Sequence, residues 1–333
     1  MQTPEVDATA LETLLSAAVA APSIHNTQPW RFGMDPVTRA IEVRADRRRP
    51  LPLADPKRRA LHVSVGAAVF NLRVAAAHLG WAPVVELLPD RDDPDLLATV
   101  RLTAQPGGQP SYRALYEAVE RRHTSRMPFT GRPVPERIVT EMVTAARVEH
   151  ARLDVPDIVR TRRLLRLAAV AEARNAGHPA RTAEARTWVN APDDEDPYGI
   201  PVAALGPREV AGRIPMRDFT GPLPGVRPPA LRFERHAQVA LLWTVRDHPA
   251  DWLRAGQALE RVLLVATAHG VRTSMLHQAM EWPDLRAAVG GPRSRCFPQL
   301  LIRFGYGPEG GRTPRASAHL TADRHRGSRA GRA

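Results

Sequence analysis

The sequence reads as an α+β fold in which one structural unit is used twice. Three observations carry this reading. Apolar residues recur at helical spacing in some segments and alternate as in strands in others. The stretch 66–81 (GAAVFNLRVAAAHLGW) lies over 256–271 (GQALERVLLVATAHGV) without a gap, matching Gly66 with Gly256, Ala68 with Ala258, Ala76 with Ala266 and Gly80 with Gly270. Residues 11–22 echo 137–148 in their apolar positions and in an Ala-Ala pair. Two echoes in the same order favour a duplicated unit over a chance likeness between Ala-rich helices.

Taken in order, 9–21 sets Leu11, Leu14, Leu15 and Ala18 on one helical face, and Pro22 stops the helix. Residues 40–45 (AIEVRA) alternate as a strand, 63–79 is an apolar helix ending at Gly80, and 84–88 and 96–102 are further strands. The turn-rich stretch 104–110 (AQPGGQP) marks the internal boundary, with one half over 1–105 and the other over 111–320. The second half opens with a helix over 111–120. Another follows from Pro135, a residue suited to a first helical turn, to about Arg147. A further helix covers 164–174. Residues 175–230 are rich in Pro, Gly and charge with little periodicity, and a loop that long is functional or disordered. Residues 238–245 read as a buried strand, 252–269 as an amphipathic helix and 299–304 as a last strand. The tail 321–333 is basic and expected to be disordered.

Composition excludes several classes. The chain has 333 residues, 43% of them hydrophobic, enough for a large buried core. No apolar run approaches the ~20 residues of a membrane helix, and Glu5, Asp7 and Glu12 stand where a signal peptide would be basic. A soluble cytoplasmic protein is expected. Cys296 is the only cysteine, which excludes an internal disulfide and a multi-cysteine metal site. The formal charge of +12 invites a nucleic-acid reading, but from Arg303 onward seven arginines face only Glu309 and Asp323, so the tail supplies much of the excess. No zinc-finger spacing or aromatic-interleaved basic strand supports that reading. Residues 305–310 spell GxGxxG after a strand candidate, yet Pro308 and Pro314 block the helix that a dinucleotide site needs. P-loop, HExxH and GxSxG motifs are absent.

Two segments carry chemistry. Residues 22–30 (PSIHNTQPW) combine a helix-stopping proline, short polar side chains and two amides, a composition that presents backbone and Asn groups to a polar ligand or simply links a helix to a strand. Residues 121–126 (RRHTSR) place three guanidinium groups and two hydroxyls within six residues. Such a set suits a phosphate dianion, although a solvated helix end has the same composition.

The first segment resembles the APSxxNxQPW motif of the nitroreductase superfamily, and RRHTSRMPF is similar to that family's Arg-Arg-x-Ser-x-Arg motif. Together with 45–56, 199–206, 216–219 and 252–266, they look like the Acg-like branch found in actinobacteria, over the stretch from Leu11 to about Leu320. The resemblance implies a nitroreductase-like fold with central antiparallel or mixed sheets flanked by helices. Each half lacks the motif that the other carries, which implies a single-chain pseudo-dimer with one composite FMN site, monomeric in solution. Carried over by position, Arg122, His123, Thr124 and Arg126 would hold the FMN phosphate and ribityl chain, with Arg121 nearby. Pro22, Ser23, Ile24 and Asn26 would approach the ring and ribityl from the other half. Ala279, Met280 and Glu281 stand where the family has Pro-hydrophobic-Glu-Gly facing flavin N5 and O4, with Ala279 replacing the proline and Trp282 the glycine. Arg312 and Arg315 occupy the place of the last phosphate-binding basic residues. The implied activity is ping-pong reduction of a small nitro-aromatic or quinone acceptor by NAD(P)H, with no catalytic side chain, metal, membrane or nucleic acid required. The alternative is an FMN storage protein closed by a lid within 175–230.

Overall fold

Asp7 opens the first helix by accepting the Ala10 amide at 2.7 Å, which satisfies one of the four orphan donors at a helix start. The computed structural model describes residues 6–35, 37–104, 112, 114–191, 195–219, 228–291 and 295–317. In chain order the first part holds α1 (Ala8–Val19), β1 (Trp30–Met34), β2 (Ile41–Ala45), α2 (Arg59–His78), β3 (Trp81–Leu87) and β4 (Leu96–Ala104). Then come α3 (Tyr116–Arg121), α4 (Glu136–Val148), β5 (Arg152–Asp154), α5 (Ile158–Ala176) and α6 (Pro179–Arg186). Four two-residue strands follow, β6 (Val189–Asn190), β7 (Ile200–Pro201), β8 (Arg208–Glu209) and β9 (Ala230–Leu231). The chain continues with β10 (Gln238–Thr244), α7 (Pro249–Ala268), β11 (Arg272–Leu276), α8 (Pro283–Gly290) and β12 (Phe297–Gly305). The expected boundary at 105–110 and the tail at 321–333 lie outside the described residues.

Two four-stranded antiparallel sheets organise these elements. One has the order β1-β2-β4-β3 and the other β11-β12-β10-β5. Read from its other edge, the second becomes β5-β10-β12-β11, so both sheets follow the same first-second-fourth-third path. In each, a 20-residue helix joins the second strand to the third, α2 in one and α7 in the other. A helix also precedes each first strand, α1 in one case and α4 in the other. The halves differ at two connections. β2 follows β1 with no helix between them, whereas the segment between β5 and β10 carries α5, α6 and the short strands, and β4 follows β3 in the same way, whereas α8 stands between β11 and β12.

α2 and α7, the helices that echo each other in sequence, pack together at the centre. The close approach requires glycine: a Cβ on Gly66 would lie 2.1 Å from the Leu253 carbonyl oxygen, and one on Gly256 would lie 2.0 Å from that of Val63. Each helix then buries its remaining surface against its own sheet, giving two apolar clusters that meet at this contact. By length and composition α2 could cross a membrane, which corrects the expectation that no such run exists; here 83% of that stretch is buried inside the fold.

The segment 175–230 is more ordered than its composition implies. α6 lies within it, β6 pairs with β7 and β8 with β9, and Ala185, Ile200, Ala204, Leu205 and Phe219 form a small buried cluster. Its apolar residues are spaced irregularly because they serve a tertiary surface rather than one helix face.

Candidate active site

After α1 the chain makes a single 3-10 turn at Ile24–Asn26, with His25, Asn26 and Gln28 at positive φ of 50°, 55° and 45°. Asn and His tolerate this region better than most residues. Side chains hold the turn: Ser23 Oγ accepts the Gln28 amide at 2.9 Å, and Ser64 Oγ on α2 accepts the Ile24 amide at 3.2 Å. Trp30 anchors the far end, fully buried at the start of β1. The result is a rigid wall from which Pro22, Ser23, Ile24 and the His25 ring face two adjoining cavities.

The larger of the two is lined on its apolar side by Ile24, Val63, Leu259, Met275, Leu276 and Leu300. Arg59, Arg126 and Arg217 also border it, and no acidic residue among the described ones does. The smaller one is basic, with Arg122, His123, Thr124, Arg126 and Arg315 around it. Both share Pro22, Ser23, His25, Thr124, Arg126 and Met275. Together they offer an elongated space, apolar at one end and cationic at the other.

The cations at the basic end are held by the protein's own acceptors. Arg122 donates to the Ala20 carbonyl at 2.8 Å, capping α1, and its Nε lies 3.2 Å from Glu260 on α7. Glu260 is fully buried. Burial pushes its carboxyl up to about 7, against the pull of Arg122, Asn71 and Arg315. Arg315 donates to Asn26 Oδ1 at 2.9 Å and to the Ala21 carbonyl at 3.2 Å. Arg126 donates to the Ala204 carbonyl at 2.7 Å. Burial and the neighbouring Arg217 push Arg126 down to about 10, still charged near neutrality.

The segment 197–219 closes over the apolar end. Asn26 donates to the Gly199 carbonyl at 2.8 Å and to that of Pro197 at 3.2 Å, and Gln28 donates to Pro197 at 2.6 Å. Further along, Phe219 meets the His25 ring edge-on at 5.1 Å. Arg217 pairs with Glu281, which Arg181 also reaches at 3.1 Å and Asn175 at 3.2 Å. Burial opposes ionisation of Glu281, but Arg217 and His277 outweigh it and hold the carboxyl well below the usual range.

His25, His277 and Glu281 offer ligand atoms within 4.8 Å of one another, a spacing that a divalent cation could use. The charge argues otherwise. Glu281 already faces two arginines, and a metal would add positive charge beside both while competing for the same oxygens.

Of the residues singled out in the sequence, Pro22, Ser23, Ile24, Asn26, Arg122, His123, Thr124, Arg126 and Arg315 border the two cavities. Arg121 points outward and donates to its own helix at Glu117. Arg312 is 61% exposed and lies 3.8 Å from Glu309. Ala279, Met280 and Glu281 form a buried 3-10 turn that is not part of either cavity wall, so His277 lines the larger cavity in front of them. Asn26 spends its amide on the closing segment and on the Pro314 carbonyl. Sequence reasoning passed over Arg59, His277 and Gln299, and gave no role to Arg217 and Phe219, which lie in the 216–219 stretch, or to His25, which sits inside the PSIHN motif.

No protein-family profile matches the chain. It is 33% identical over 315 residues, covering 92% of this chain and 88% of the relative, to a Mycobacterium tuberculosis protein provisionally named an NAD(P)H nitroreductase. A second M. tuberculosis protein, provisionally named NAD(P)H nitroreductase acg, is 29% identical over 318 residues, covering 94% of each. A solved structure from Anabaena variabilis, provisionally described as a nitroreductase, aligns over 92% of this chain and 90% of its own, with a TM-score of 0.47 and 10% identity.

Proposed function

The chain belongs to the nitroreductase family, and from that premise we propose that it binds one FMN in the joined cavities and uses NAD(P)H to reduce a small nitro-aromatic or quinone acceptor by a ping-pong route. The observation that carries this is the shape and charge of the space, a cationic end continuous with an apolar one. A phosphate dianion suits Arg126, Arg315, His123 and Thr124, with Arg122 behind them. A flat ring system suits the walls at Ile24, Met275, Leu276 and Leu300. The residues fit the cofactor on a second count, because both nitrogens of the buried His25 ring have no partner among the described residues and the ring borders that space.

When bound, FMN would carry the hydride from nicotinamide to acceptor. The protein's part is to orient and to exclude water. Arg126 and Arg315 anchor the phosphate end, the strained 22–28 turn forms a fixed wall, and Phe219 with Arg217 covers the ring end. We place the protein in the cytoplasm as a monomer, since the two halves of one chain together supply both parts of the site.

The closed segment over the cavity also suits a protein that stores FMN. Family membership favours the reductase. One experiment decides: flavin is released and quantified against protein, and the loaded protein is then mixed anaerobically with NADPH or NADH. One FMN per chain and prompt bleaching of the flavin band are expected. Reduction by dithionite but by neither nicotinamide would leave storage, and two flavins per chain would overturn the composite site.

A further inference from the structure

We propose that His25 and His277 form a proton-transfer pair that delivers a proton to the oxygen of the acceptor as it is reduced. The inference rests on the reductase reading and adds side chains to a reaction otherwise assigned to the cofactor.

Hydride transfer to a quinone leaves an oxyanion, and a closed cavity must supply the matching proton. Among the described residues that line the larger cavity there is no Asp, Glu, Tyr, Cys or Lys. Its arginines stay protonated through the neutral range, and the Ser23, Ser64 and Thr124 hydroxyls are weak acids. The two imidazoles remain, and a histidine pair can relay a proton, each ring giving one at one nitrogen while taking another at the second.

Their placement matches the task. The His25 ring is 4% exposed and neither of its nitrogens has a partner among the described residues, a deficit that a ligand would relieve. The backbone holds it at φ 50°, and Phe219 fixes the ring edge-on. Burial, Arg217, His277 and Arg126 disfavour its charged form and outweigh Glu281. His25 is thus a neutral imidazole with one N–H and one lone pair, able to donate at one nitrogen while accepting at the other. The His277 ring centroid is 5.8 Å away, and its Nε2 lies 3.0 Å from Glu281 Oε1. The His277 side chain is 16% exposed, more than Glu281 at 1%.

The step balances. The cofactor, when bound, would supply the quinone with a hydride and its two electrons, which leaves one oxygen anionic. His25 gives its N–H proton to that oxygen and takes a proton at its other nitrogen from His277, across a gap that one water spans. His277 regains its proton from solvent, with Glu281 balancing its charge. Quinone, hydride and proton together give the hydroquinone.

The test uses FMN-loaded protein reduced with NADPH and reoxidised anaerobically by 1,4-benzoquinone or by ferricyanide, which accepts electrons and no proton. For His25→Gln and His277→Gln the expected result is benzoquinone turnover, per bound flavin, slowed at least about a hundredfold relative to ferricyanide turnover of the same variant. A wild-type solvent isotope effect on the benzoquinone step should vanish in both variants. A readout without turnover is binding of 4-nitrophenolate, an oxyanion stand-in, which His25→Leu should weaken about tenfold. Unchanged benzoquinone rates and isotope effects in loaded, NADPH-reducible variants would overturn the pair alone. A wild type that holds no FMN, or that neither nicotinamide reduces, would overturn the reductase reading and the pair with it.

Discussion

Gly66 and Gly256 stand back to back where α2 crosses α7, each so close to the other helix that an added Cβ would strike a carbonyl oxygen at 2.1 or 2.0 Å. The contact is reciprocal. Gly66 faces Leu253 and Gly256 faces Val63, the relation that two copies of one helix would make about a two-fold axis. Gly66→Ala or Gly256→Ala should therefore push the helices apart and cost about 3 kcal/mol or more. Urea unfolding measures this. A loss below about 1 kcal/mol would mean that the helices slide apart easily and do not set the spacing of the two halves.

This contact shows what was legible in the sequence. The gapless match of 66–81 to 256–271 identified the two central helices, and each lies within a few residues of its expected bounds. The short strands β5 and β11 were not foreseen. Arg152–Asp154 and Arg272–Leu276 have too few residues to alternate visibly, and pairing with β10 and β12 makes them strands. In the site, PSIHN and RRHTSR were legible because several unusual residues fall together. Arg59 and His277 were not, since each stands alone in sequence and reaches the cavity only through the fold.

Among the described residues, Arg303 and Glu234 make the most buried ion pair outside the site. Arg303 is fully buried on β12, donates to both Glu234 oxygens at 2.6 Å and lies 3.8 Å from the Phe129 ring centre. Removing one partner strands the other charge. Arg303→Met should cost about 3–5 kcal/mol, and adding Glu234→Gln should restore much of it. Chemical denaturation of the single and double variants is the check, and additive losses would show that the two charges are not coupled.

Arg217 ties the closing segment to Glu281, so Arg217→Ala should loosen it. Arg181 still faces Glu281 in that variant, which keeps the fold. NADPH reduction of the loaded protein should quicken by about tenfold, equivalent to ~1.4 kcal/mol. An unchanged stopped-flow rate in a folded, FMN-loaded variant would remove this segment from control of access. Point substitution is preferable to deleting the segment, because Ile200, Ala204, Leu205 and Phe219 belong to a buried cluster.

Glu260 gives a pH dependence with a definite sign. Its carboxyl sits at about 7 in the fold, against about 4.3 in an unfolded chain. Between those values the native state holds a proton that the unfolded state has lost, so stability falls as pH rises. The contribution is complete below pH ~4.3 and gone above about 7, a change of at most about 4 kcal/mol. Glu260→Gln should remove this slope, leaving a variant that gains on the wild type as pH rises from about 4.5 to 7. Parallel stability curves for the two proteins across that window would sink the assignment.

The phosphate end supplies the last test, and the structure decides which arginine to change. Arg122→Ala would leave Glu260 buried beside one cation fewer, so weakened binding in that variant would mix ligand contact with damage to the fold. Arg126 borders both cavities and its noted acceptor is the Ala204 carbonyl, so its loss strands no carboxylate. Arg126→Ala should remove a charge-assisted bond of ~1.5–3 kcal/mol. That is about a ten- to hundredfold loss of FMN affinity at ~1.4 kcal/mol per decade. Riboflavin lacks the phosphate, so it should bind the wild type weakly and lose little more on substitution. Arg147, exposed near the end of α4, is the matched control. Fluorescence titration of both ligands separates the outcomes: equal losses for FMN and riboflavin would indicate general destabilisation. If Arg126→Ala and Arg147→Ala bound FMN alike, the basic cavity would not be the phosphate site.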